Sequence, residues 1–202
     1  MILSNVEIHK ALDDGRLVIK PEPGPRLPTI GKHCPYGTHT VDLTLASELS
    51  IPKDDFPIAF DLSNKKKLAE CLAQNSEKCT ITEDQPYTLK QGKFILAKTR
   101  ETIELPMQDP GSGARCLAAR IEGKSSRARL GLLVHFTAPT VHPGFSGTLT
   151  LEIINLGPAK ILLSPGVAIA QLIVEEVVGI PLANPSQFQG QSSPEGVLNN
   201  GA

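Results

Sequence analysis

Apolar residues along this chain fall mostly into short alternating runs, and at helical spacing only near Ser4 and near Ser63. Ser4-Asn5-Val6-Glu7 has the spacing of a capping box. Ile8, Ala11 and Leu12 follow on one helical face and Gly15 is a natural stop, so a short helix is expected over about residues 5–13. Ser63 opens a second helical pattern with Leu68, Cys71 and Leu72 on one face, and Lys65-Lys66-Lys67 near its start reads as a solvated face. The remaining signal is of strands: Arg16–Ile19, His39–Leu45, Tyr87–Leu89, Phe94–Ala97, Thr102–Leu105, Leu117–Ile121, the run after Gly147, Ile161–Leu163 and Val167–Val174.

Composition agrees with that pattern. Seventeen Gly and seventeen Pro make up roughly a sixth of the 202 residues, punctuation suited to many turns. Short strands with Gly and Pro between them predict a mainly β, jelly-roll-like domain with a short N-terminal helix and a few short helices. A domain over residues 1–182 is expected, with residues 50–85 as an insertion. A polar tail over 183–202 is either disordered or pinned by its single aromatic residue, Phe188.

A net charge of −1 argues against a nucleic-acid binder, and no apolar stretch is long enough for a membrane span. Cys34, Cys71, Cys79 and Cys116 form no Cys-x-x-Cys pair. With no signal-like start, they read as reduced thiols of a cytoplasmic protein.

The chemistry gathers between Glu122 and Glu152. Ser125 and Ser126 can cap a short helix whose N-terminus, with Lys124, Arg127 and Arg129, would hold a phosphate or carboxylate; ordinary basic residues beside a capped helix look the same. Gly123-Lys124-Ser125 is not a phosphate-binding P-loop, because the earlier glycine is missing. On the strand after Gly147, Leu149, Leu151 and Ile153 share one face, and Thr148, Thr150 and Glu152 the other. Glu152 is then either solvated or, if that face looks into a pocket, a group able to relay protons. Asp42, in an alternating run, is either solvent-facing or a buried polar residue near a site. None of the five histidines has Glu two residues later, which disfavours a zinc deaminase.

Gly123-Lys124-Ser125-Ser126-Arg127-Ala128-Arg129-Leu130-Gly131-Leu132, Val134-His135 with Thr137-Ala138, and Pro143-Gly144-Phe145-Ser146-Gly147 through Leu151-Glu152 resemble the dCTP deaminase family of the trimeric dUTPase superfamily. The resemblance implies a distorted jelly-roll, dUTPase-like β-barrel, assembled as a homotrimer with sites at subunit interfaces, and Mg²⁺ on the triphosphate without zinc. It implies hydrolytic deamination of dCTP to dUTP and ammonia. Glu152 would be the proton shuttle, Ser125 and the Ala138 carbonyl would position water and leaving amine, and Arg129 would stabilise charge and hold Glu152. Lys124, Ser126 and Arg127 would lie towards the phosphates, Ala128 and His142 would also bind substrate, Thr150 and Leu151 would lie against the nucleoside, and Gln191 in a closing tail. The chain departs from the family at Lys124, where arginine is usual; at His142, where an aspartate contacts the sugar; and at Gln187, where lysine is expected. Two alternatives stand beside deamination to dUTP: dUTP pyrophosphohydrolysis, alone or coupled to deamination so that dUMP forms, and a non-catalytic nucleotide-binding regulator.

Overall fold

A computed structural model describes residues 1–54, 68–184 and 188–196. The N-terminal helix, α1, spans Asn5–Asp13, with the Ser4 hydroxyl accepting from the Glu7 N–H as the capping box requires. Ile8 and Ala11 are its buried face. A second helix, α2, spans Leu68–Gln74; the expected start at Ser63 and the lysine run lie outside the described residues.

Eleven strands are described: β1 Val18–Lys20, β2 Val41–Pro52, β3 Ser76–Thr80, β4 Tyr87–Leu89, β5 Phe94–Glu104, β6 Leu117–Gly123, β7 Leu132–Val134, β8 Thr140–Val141, β9 Ser146–Asn155, β10 Ile161–Leu163 and β11 Ala168–Glu176. Nine of them form one antiparallel sheet in the order β7-β9-β5-β2-β11-β6-β8, with β1 added beside β5 and β3 beside β2; β10 pairs with β4 separately. This is the mainly β architecture that the punctuation predicted, in the distorted jelly-roll form that the resemblance implied.

Two expected strands, Phe94–Ala97 and Thr102–Leu105, are one strand. The break between them is a register shift between Lys98 and Thr102 against β9. A bulge inserts residues without ending the ladder, so it leaves the same polar interruption in sequence as a turn. The buried Glu101 carboxylate inside that bulge accepts from the Thr44 N–H at 2.9 Å and the Thr44 hydroxyl at 2.6 Å, tying β5 to β2.

β9 alternates without a break. Leu149, Leu151 and Ile153 are buried in the core, while Thr148, Thr150 and Glu152 face the other way. Burying each of those three side chains contributes about 1.5–3 kcal/mol, enough to fix the register, because a one-residue slip would turn all of them out.

Candidate active site

The polar face of β9 looks into a cavity of about 660 Å³. Glu152, Thr150, His135, Ala138, His142 and Phe145 line it, together with the tail residues Phe188, Gln191 and Glu195. Leu96, which pairs with Glu152 across β5 and β9, supplies part of the apolar wall.

His135 is the residue that sequence reasoning missed as a site residue. β7 pairs with β9 so that Val134 lies opposite Ile153, and the next residue's N–H donates to the Glu152 carbonyl at 2.8 Å. His135 then turns the chain with φ of 52°, an uncommon conformation for a residue other than glycine. That turn folds the imidazole back over β9. Its Nε2 is 2.7 Å from the Ala138 carbonyl oxygen and its Nδ1 is 2.8 Å from Glu152 Oε2. The Nδ1 contact has ion-pair distance without the alignment of a regular hydrogen bond, and neither atom has another hydrogen-bond partner.

The Ala138 carbonyl can only accept, so Nε2 carries its proton. Nδ1 and Glu152 Oε2 then share one proton: either imidazolium faces carboxylate, or neutral imidazole faces carboxylic acid. Burial works against charge on both groups, but their mutual attraction outweighs it. His135 is pushed up and Glu152 held below its ordinary carboxylate value, which favours the ion pair. The side chain of His135 is 9% exposed and that of Glu152 is 30% exposed, the latter towards the cavity.

The cationic segment lies elsewhere. Its helix, α3, is Ser125–Ala128, with Lys124 as N-cap residue and no side-chain cap bond. The serines therefore do not cap it: Lys124 still has extended geometry and Ser125 is already the first helical residue. Ser125, Ser126, Ala128 and Arg129 are exposed, Arg127 is half-buried, and none of these lines the cavity of its own chain. The cation beside Glu152 within this chain is thus His135, where Arg129 was expected. The ammonium of Lys124 is bonded to Asp42, whose other oxygen lies 2.9 Å from His33 Nε2. Asp42 is only 7% exposed, which corrects its solvent-facing reading; a buried carboxylate there takes the nearest cation. Leu151 is fully buried in the core, so its side chain cannot meet a ligand.

The described part of the tail is strapped along β9. The Gly190 N–H donates to the Ser146 carbonyl at 2.8 Å, the Thr148 N–H to the Gln191 carbonyl at 3.0 Å, and the Gln191 amide to the Thr148 carbonyl at 2.7 Å. Lys98, opposite Thr150, donates to the Ser192 carbonyl. A Cβ at residue 147 would lie 2.9 Å from the Gln191 carbonyl oxygen, so glycine there permits the close approach. Gln187 lies outside the described residues. No helix among the described residues is long and apolar enough to cross a membrane.

A model of the dCTP deaminase-like family matches residues 2–177. Among curated relatives, a dCTP deaminase of Natronomonas pharaonis is 33% identical, over 96% of this chain and 93% of its own. A dUMP-forming dCTP deaminase of Methanosphaera stadtmanae is 32% identical, over 96% and 91%. Among solved structures, the 2'-deoxycytidine 5'-triphosphate deaminase of Agrobacterium tumefaciens superposes with a TM-score of 0.60 at 17% identity. That likeness concerns the fold and spans 86% of this chain but only 47% of the other, so this chain is about half its length.

Proposed function

This chain belongs to the dCTP deaminase-like family, and on that footing we propose that it deaminates dCTP hydrolytically at the Glu152–His135 centre. The observation that carries the reading is a carboxylate on a cavity wall 2.8 Å from a buried imidazole, a neighbour that favours its ionised form. In this reading Glu152 takes a proton from water as its oxygen adds to the cytosine carbon bearing the amine. The C–N bond then breaks, and the proton returned by Glu152 leaves with ammonia. His135 holds the carboxylate in its charged form and, through Ala138, fixes a carbonyl whose second lone pair is free to orient water or the departing amine.

Ser125 and Arg129 act in this proposal from a neighbouring copy. Both are exposed and sit outside their own cavity, which is the placement required if a homotrimer builds each site between subunits. Arg127 and Ser126 would then face the phosphates, and Lys124 would reach them only by leaving Asp42. Mg²⁺ would arrive on the triphosphate. Among the described residues no three His, Cys, Asp or Glu side chains converge, so phosphate oxygens would carry most of its coordination.

The product is the finer question. Relatives described as dUMP-forming match as well as those that are not, at 32% against 33% identity, so cleavage of the triphosphate after deamination is a supported second reading. Incubation with dCTP and Mg²⁺, resolving dUTP, dUMP, ammonia and pyrophosphate, tests both. Ammonia with dUTP supports deamination alone, and ammonia with dUMP and pyrophosphate the coupled reaction. No ammonia refutes the proposal. Glu152→Gln is expected to lower kcat by about 10²–10⁴-fold with nucleotide binding retained.

A further inference from the structure

Among the described residues two carboxylates line the cavity, Glu152 and Glu195, and of these only Glu152 has a counter-charge. Glu195 is 5% exposed, and both its oxygens are shut off from solvent with no hydrogen-bond partner. An ionised carboxylate in such a place is strongly unfavourable unless something donates to it. Thr150 Oγ1 is also buried and without a partner, on a residue that lines the same cavity. The residues just before Glu195 are held by the backbone bonds of Gly190, Gln191 and Ser192 to β9 and Lys98, so its position is set by the sheet. Neither group takes part in the proton transfers assigned above.

A partner for Glu195 must bring N–H or O–H donors. Phosphate is excluded by like charge. A protein-caged divalent cation would need further oxygen ligands, and no such cluster forms among the described residues. Resting on the nucleotide reading, we propose that Glu195 is a specificity-determining residue that accepts hydrogen bonds from the uncharged part of the nucleotide, from the exocyclic amine of the base or from a sugar hydroxyl. The carboxylate is desolvated before the ligand arrives, so it discriminates sharply against ligands lacking that donor.

The test compares wild type, Glu195→Gln and Glu195→Ala on dCTP, and measures binding of dCTP, its 2',3'-dideoxy analogue and dUTP by calorimetry. A charge-assisted hydrogen bond predicts KM or Kd for dCTP raised about 10–100-fold in both variants, with kcat within about threefold. In Glu195→Ala the melting temperature should hold or rise, because two buried, unpartnered oxygens are removed. If the sugar hydroxyl is the donor, the dideoxy analogue binds wild type and variants alike. If the amine is the donor, dUTP binds wild type and variants alike. Either pattern supports the proposal. KM and Kd within about twofold of wild type would overturn it. So would weaker assembly with unchanged KM, which would place a partner subunit's cation on the carboxylate. Wild-type protein that binds dCTP without releasing ammonia refutes the deaminase reading alone, and the Glu195 comparison is then decided on Kd.

Discussion

Replacing His135 with glutamine removes the cation beside Glu152 while leaving an amide able to donate to the Ala138 carbonyl. Two unit charges 2.8 Å apart attract by about 6 kcal/mol at an effective dielectric constant of about 20, and by about 1.5 kcal/mol in bulk water. Desolvation of both groups offsets much of this, and the partial exposure of Glu152 screens more, leaving a net of about 1–3 kcal/mol. Losing that attraction raises the proton affinity of Glu152. Burial, the largest influence on the carboxyl, pushes in the same direction, opposed then only by a main-chain hydrogen bond. If ionised Glu152 is the base, the acid limb of the kcat/KM profile for ammonia release must move to higher pH in His135→Gln. A titration of ammonia release between about pH 4 and 9, with circular dichroism at each pH to confirm folding, measures it. An acid limb that stays in place, or moves to lower pH, refutes the pairing as the source of the carboxylate's charge.

The same pair makes stability depend on pH. Glu152 is held low, so its share is lost as pH falls through its folded value; His135 is raised, so its share is lost as pH rises through a value above 6.5. Thermal melts of wild type against Glu152→Gln should therefore differ most between those limits, and a constant difference from pH 3 to 10 would contradict this. Gly131→Ala places a Cβ 2.2 Å from the Gly157 nitrogen at φ of 86°, and should cost about 3 kcal/mol or prevent folding, read from the midpoint of urea unfolding. Gly147→Ala should release the strap, seen as faster amide exchange at Gln191 and Thr148 with the core unaffected. Lys124→Ala strands the buried Asp42 carboxylate beside His33 alone and should lower stability by about 1–3 kcal/mol at neutral pH, with recovery in Lys124→Arg.

Local signals were read correctly where a single segment decides its own shape. The capping box at Ser4 and the alternation of Leu149, Leu151 and Ile153 both needed nothing beyond neighbouring residues. What the sequence hid depends on register between strands distant along the chain. His135 faces Glu152 only because β7 pairs with β9, and no period within Leu132–Val134 announces that pairing. Asp42 occupies a polar slot in its run, yet its burial follows from Lys124, which lies 82 residues away. Glu195 belongs to a stretch whose composition reads as disorder, because the strap is held by main-chain groups that composition does not record. α3 was located from its residues, but which cavity it serves is a matter of assembly.

The strap divides its labour in a way open to engineering. Four of the five bonds that its described residues make to the sheet use its own main chain, at Gly190, Gln191 and Ser192, and so are largely indifferent to side-chain identity. Glu195, a few residues on, presents a side chain to the cavity and contributes nothing to that attachment. Anchoring and discrimination are thus written in different alphabets within one short peptide. Tails from other family members should be transplantable onto this β9 edge, carrying their own preference with them while the strand beneath stays untouched.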